Sequence, residues 1–415
     1  MRTFAPAALT AVLSVAAACT DNRGADTVLT PATTTPVTQT PTPSLQILGA
    51  GAVTTRYTGE IAVRGTTAYT TTALKRVATG NAVFIWDVSG NTPTLVDSIV
   101  YASTVSDVGD VEISDDGKVM VVVTEFTPGE MIVYDLADPR HPRELSRFAG
   151  SGSSQGYHTG KLGRVNGTLY AFISAYPAGG GPRLIIVDLS NPSSPKEVFT
   201  STAFTNPWMH DTFVRDGFLF LAVWNDGIQI MDLGGGGTGS PSNPRVISTT
   251  PLATGTVHNL WWYRDASGAR RYVFAGQEGG QTIPTSSFGD IHVLDVSDLG
   301  NPREVAFYHI NGAGPHNFFV DEANGILYAA YYNAGIRALD VHGDLGSCTS
   351  AQRSTTNGVT RCDLRAMGRE LAIGLATGLG AFNANPPYVW GVQYVNGILY
   401  ASDLDNGIWK LKAVR

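Results

Sequence analysis

Four of the chain's eight histidines fall in related tripeptides: Tyr157-His158-Thr159, Met209-His210-Asp211, Val257-His258-Asn259 and Pro315-His316-Asn317. Each tripeptide opens a β-like run, so one repeat-equivalent position carries an imidazole four times. Gathered around one axis, these rings could bind Zn, Cu or Fe, with nearby carboxylates orienting them. His158, His210, His258 and His316 are therefore the candidate metal ligands. A second reading is structural. A histidine that starts a strand can hydrogen-bond the backbone of the neighbouring repeat, and Asp211, Asn259 and Asn317, each following a histidine, suit a loop-capping role beside it. A general base is the third reading. No catalytic residue is assigned: the chain has no nucleophile elbow, P-loop or HExxH, and the run Gly234–Gly237 follows a strand without leading into a helix.

The elements that position the histidines are repeats. An apolar strand ending in Asp recurs as Val83–Asp87, Met131–Asp135, Leu184–Asp188, Ile228–Asp232, Ile291–Asp295 and Ile336–Asp340, and a degenerate copy, Ile408–Lys412, lacks the Asp. These aspartates read as turn caps, because Asp bonds nearby backbone amides and a following Asn-Pro fixes the turn. A second β-run lies upstream of each, as in Phe218–Val223, and the histidine-bearing run lies before that. With a fourth strand after the Asp turn, each unit holds four strands. Seven such units without helices make an all-β, seven-bladed β-propeller. The last unit lacks one strand, and the segment Leu45–Ala50 is free to supply it, so the ring closes with an N-terminal strand.

The strand-Asp repeats, with the phrases His210-Asp211-Thr212-Phe213-Val214 and Pro315-His316-Asn317-Phe318-Phe319-Val320, resemble the LVIVD-repeat family of bacterial surface β-propeller proteins over roughly Thr54 to Leu411. The resemblance implies the architecture and an extracytoplasmic setting, and no substrate. In a propeller the first strand of each blade lies nearest the axis, which puts the four histidines on the inner strands of blades three to six. The matching positions elsewhere are about Thr58, Gly109 and Trp390, with Glu60, Asp110 and Glu112 close by. Trp208, Trp261, Trp262, Tyr331, Tyr332, Tyr388 and Trp390 fall near inner-strand ends, either packing blades together or forming an aromatic mouth.

Residues 1–18 read as a signal peptide of lipoprotein type, with an apolar run ending in small residues before Cys19. Cys19 is then the lipidation site, and residues 19–43, rich in Thr and Pro, form a disordered tether for the propeller of residues 44–415. The expected location is the cell envelope or cell surface. Export to an oxidising compartment lets Cys348 and Cys362, in an insertion after Asp340, form a disulfide on a sixth-blade loop.

The net charge of −7 comes without a compact basic cluster. Nucleic acid is thereby excluded as the main partner, and the membrane is reached only through the lipid anchor. A monomer whose propeller face takes a protein or small ligand fits what remains. The sequence supports a surface-anchored binding or scaffolding propeller, and alternatively a metal-dependent enzyme, oxidative or hydrolytic, with a central four-histidine site.

Overall fold

Alternation decides where each strand sits. The second and third strands of most blades are apolar on both faces, as in Val119–Glu125 and Met131–Asp135, and they are buried along almost their whole length. Such strands need cover on two sides. Outer strands such as Thr94–Val100 are largely exposed. In the computed structural model, which describes residues 43–73, 80–105, 107–126, 129–151, 156–176, 181–205, 208–375 and 385–414, these requirements are met by seven four-stranded antiparallel blades stacked face to face around an axis. The expected lipoprotein signal, Cys19 and nearly all of the expected tether lie outside the described residues.

The inner strands, in blade order, are Tyr57–Arg64, Asp107–Ile113, Tyr157–Val165, Thr212–Arg215, Val257–Tyr263, Phe318–Asp321 and Val389–Val395. Each neighbouring pair of blades encloses its own apolar cluster. Tyr69, Val83 and Ile85 of blade one meet Met120, Val122 and Ile132 of blade two. The series ends where Ile408 and Tyr400 of blade seven meet Ala68, Phe84 and Trp86 of blade one. Burying a side chain of this size stabilises the fold by about 1.5–3 kcal/mol, so the seven interfaces, rather than any one blade, hold the ring together.

Closure follows the sequence expectation. Ile47–Gly51 pairs antiparallel with Gly407–Lys412 and completes blade seven. Gly51 is fitted to that seam, because a Cβ there would lie 2.5 Å from the Trp86 ring and 2.9 Å from Ile408. The repeated aspartates are turn caps in all six copies. Asp87, Asp135, Asp188, Asp232, Asp295 and Asp340 each accept the N–H two residues on. Asp232 also takes N–H groups of Gly236, Thr238 and Gly239 and the Thr238 hydroxyl. Burial raises its carboxyl pKa, but these donors outweigh burial and hold it well below the usual range. The glycine run therefore wraps a protein carboxylate.

The insertion departs from expectation in one respect. Cys348 and Cys362 are bonded, with Cα atoms 5.9 Å apart, but the loop does not stay on blade six. Its hairpin, Arg353–Thr356 and Val359–Asp363, crosses to blade five and pairs in parallel with that blade's outer strand, making a six-stranded sheet. The cause is a buried charge set: Arg361 meets Glu304 and stacks on Phe307, while Glu304 also holds His292 Nδ1 at 2.7 Å. The disulfide closes a loop of about 15 residues around this contact, contributing on the order of 3 kcal/mol.

Candidate metal centre

A register jump aims the histidines. In blades two, three, five and seven the pairing of first and second strands skips one residue, namely Gly109, His158, His258 and Trp390. Blades four and six show the same feature: His210 N–H donates to Ala222 O while Ala222 N–H donates to Asp211 O, and His316, Asn317 and Ala330 repeat it. Two residues thus oppose one, which is a β-bulge. Bulges re-aim side chains, so strict alternation fails at this position in blade after blade.

The bulges bring all four histidines together as an arc rather than a circle. Successive ring centroids lie 4.2, 4.0 and 4.2 Å apart from His158 through His210 and His258 to His316. His158 Nε2 and His210 Nε2 are 2.8 Å apart. Trp390 continues the arc, its ring 4.0 Å from His316. Gly109 cannot carry a side chain, because a Cβ would lie 2.4 Å from the His158 carbonyl oxygen.

Two carboxylates that the sequence reading did not single out complete the cluster. Glu125, ending the second strand of blade two, bonds His158 Nδ1. Glu278, just past the second strand of blade five, places Oε2 at 3.9 Å from His210 Nε2 and 3.7 Å from His258 Nε2. One ligand atom from each of His210, His258 and Glu278 can be chosen so that all lie within 4.8 Å of one another. The other Glu278 oxygen accepts from the Tyr332 hydroxyl and Gln281 Nε2. The signal for both was available: the residues that end or follow the second strand are Glu125, Tyr176, Trp224, Glu278 and Tyr332, a second series set against the histidines.

The carboxylates expected to orient the rings sit elsewhere. Glu60 reaches His316 Nδ1 only at 3.8 Å, and that nitrogen donates to the Trp390 carbonyl oxygen at 2.8 Å. Asp110 and Glu112 pair instead with Lys161, at 3.1 and 3.8 Å. The expected capping of loops by Asp211, Asn259 and Asn317 is also absent. Asp211 caps its own neighbour's N–H, and Asn317 donates to Glu60. Among the four histidines, the interblade tie to backbone is well formed at His316, and a weaker contact with the His258 backbone acts on His210.

Burial sets the protonation. It depresses His210, His258 and His316 far below the ordinary imidazole range, and the neighbouring imidazoles add to the effect, so these rings are neutral near pH 7. Burial also pulls His158 down, but Glu125 outweighs it and the pKa rises. Burial pushes Glu278 up to about 7. His210 Nδ1 and both nitrogens of His258 are buried without a well-formed hydrogen bond.

The aromatic residues divide between roles. Trp208 and Trp224 contact His210, Tyr176 contacts His158, and Tyr332 contacts His316. Tyr388 packs on Tyr332. Trp224 and Tyr332 hold left-handed backbone, with φ of 37° and 40°, a conformation that costs a non-glycine residue about 1–3 kcal/mol. Trp262 and Tyr331 are core residues, and Trp261 lies at the opposite end of the axis.

Residues 170–202 match the LVIVD repeat family model. No curated protein matches the chain. Among solved structures, the β-propeller domain of Cps50 (Swd1) from Myceliophteria thermophila is similar with a TM-score of 0.57 at 12% identity, covering 89% of this chain and 100% of that one. A computationally designed protein, Ika8, gives 0.51 at 10% identity, covering 88% and 99%. The C-terminal WD40 domain of Sif2 gives 0.50 at 10%, covering 86% and 82%. At these identities the likeness is one of fold.

Proposed function

We propose that this LVIVD-repeat β-propeller is a surface-anchored binding platform whose axial end holds one transition-metal ion through His158, His210, His258 and Glu278. The carrying observation is the convergence of one ligand atom each from His210, His258 and Glu278, all within 4.8 Å of one another, with His258 Nε2 buried and without a well-formed hydrogen bond. Buried polar atoms ordinarily have partners. A cation at the focus of the arc would supply one to His258 Nε2. His158 Nε2 and His210 Nε2 share a hydrogen bond of 2.8 Å, a contact that ligation of both rings would replace.

The outer contacts support the same reading. A metal-binding histidine commonly gives its other N–H to a carboxylate or carbonyl. His158 does so to Glu125, and Tyr332 and Gln281 steady Glu278. His316 is tied to Trp390 O and closes the far end of the arc. Bound there, a divalent ion would act as a Lewis acid toward an oxygen or nitrogen donor of a ligand. The aromatic side chains around the histidines would exclude water and orient that ligand.

Metal analysis of protein purified without a histidine tag, after supplementation with Zn, Cu, Fe or Mn, tests the reading. About one equivalent of one metal is expected, and less than about 0.2 equivalents of each would sink it. Anchoring belongs to the same proposal: residues 1–18 direct export, Cys19 carries lipid, and residues 19–43 hold the propeller off the membrane. The intact mass of protein extracted from membranes of a bacterial host should show a lipidated Cys19 as the first residue. A mature chain beginning elsewhere contradicts the anchor and leaves the metal reading standing.

A further inference from the structure

The bulge has an effect on the opposite side of the histidine layer as well. Immediately after the bulged residue, the inner strands supply Glu60, Asp110, Thr159, Asp211, Asn259, Asn317 and Gly391 in blade order. Two residues further on come Ala62, Glu112, Lys161, Phe213, Trp261, Phe319 and Gln393. Most of these residues line a solvent-connected axial cavity of about 220 Å³. Its wall is two-sided. Glu60, Asp110, Glu112, Lys161 and Asp211 crowd the side formed by blades one to four, while Phe213, Trp261 and Phe319 form a continuous arc on blades four to six, with ring centroids 5.2 and 5.1 Å apart.

We propose that this cavity binds a small organic cation, an ammonium group carried on an apolar or aromatic body. The wall holds four carboxylates against one ammonium, that of Lys161, which pairs with Asp110 and reaches Glu112 only at 3.8 Å. Asp211 is 6% exposed, and its carboxylate accepts the Thr212 N–H. Carboxyl groups outnumber the ammonium around this one enclosed space, and such an excess within low-dielectric walls favours a further cation over an anion. Carboxylates beside aromatic faces suit an alkylammonium in particular, since the ring quadrupole also attracts it.

A second observation points to a ligand independently of the charge. Phe213, Trp261 and Phe319 remain only partly buried in the cavity wall, an apolar face that the body of a ligand would cover. The site is reachable, because the Lys161 and Glu112 side chains retain 22% and 28% exposure. Its volume is below the range typical of pockets for drug-sized ligands, so the occupant is about the size of one ring with a short amine chain.

Calorimetric titration of the full chain with 2-phenylethylamine, its neutral counterpart 2-phenylethanol and the anion 3-phenylpropionate tests the proposal. The amine should bind at least about tenfold more tightly than the alcohol, and the anion should not bind. Glu112→Gln should weaken the amine roughly tenfold. Lys161→Met should strengthen it, because the internal competitor for the carboxylates is gone; loss of binding in a Lys161→Met chain with a native circular dichroism spectrum overturns the proposal. Equal affinity for amine and alcohol, preference for the anion, or no amine binding up to about 10 mM overturns it as well. Repeating the amine titration after chelation separates this site from the metal reading, since the expected affinity is the same with and without metal.

Discussion

His258→Ala is expected to abolish stoichiometric metal binding while leaving the propeller folded. His258 sits in the middle of the arc, neither of its nitrogens has a well-formed hydrogen bond, and only the Asn259 side chain interacts with it weakly. Its removal therefore breaks no strong polar tie, and the apo protein should change in stability by no more than about 1–2 kcal/mol, the usual range for a local packing loss. The metal loses a central ligand, so affinity should fall at least 10²-fold, at the upper end of what lost outer-shell contacts cost. Thermal unfolding with and without metal reads both effects. At a free metal concentration of 100 times Kd the parent gains about 2.7 kcal/mol, and the variant should gain nothing measurable. His316→Ala is the contrasting case, because it removes the Nδ1 bond to Trp390 O and should weaken the apo fold as well. A His258→Ala protein that keeps its metal but unfolds many degrees early would show that His258 is structural and not a ligand.

The histidine position was legible because it repeats, and repetition survives the loss of every distance. The same holds for the Asp turns and the closing strand, whose register needed only a missing partner in the last unit. Three features were hidden, each for a physical reason. A bulge inserts one residue without a residue type of its own, since Gly109, His158 and Trp390 all occupy it, so a period-2 reading cannot find it. Glu125 and Glu278 come from blades two and five at one repeat-equivalent position, but that position varies in residue type (Glu125, Tyr176, Trp224, Glu278, Tyr332), so the series is easily passed over and its convergence on the histidines appears only once the ring is closed. The disulfide pair was evident from spacing, but the loop's crossing to blade five depends on Arg361 finding Glu304 beneath it, a long-range contact.

Removing the closing strand should have the largest effect on the fold. A chain beginning at Ala52 loses Leu45, Ile47 and the ladder between Ile47–Gly51 and Gly407–Lys412. It also loses the latch in which Leu45 N–H donates to Ile373 O and Ile373 N–H to Pro43 O, at 2.8 and 2.9 Å. Two apolar side chains at about 1.5–3 kcal/mol each and several backbone bonds at about 1 kcal/mol each together rival the 5–15 kcal/mol that holds a typical domain. The Gly407–Lys412 strand would become a bare edge able to pair with another chain. The Ala52 start is therefore expected to give aggregated or oligomeric protein in size-exclusion chromatography, with no cooperative thermal transition near that of the parent. A chain beginning at Pro43, lacking only the segment before the latch, should elute and melt like the parent. Gly51→Val refines the comparison, since it keeps every residue of the strand but drives a side chain into Trp86 and Ile408. If the ring depends on this seam, that single substitution should lower Tm by several degrees, as 1–3 kcal/mol of overpacking does. Identical melting of the Ala52 and Pro43 chains would show instead that three strands suffice for blade seven.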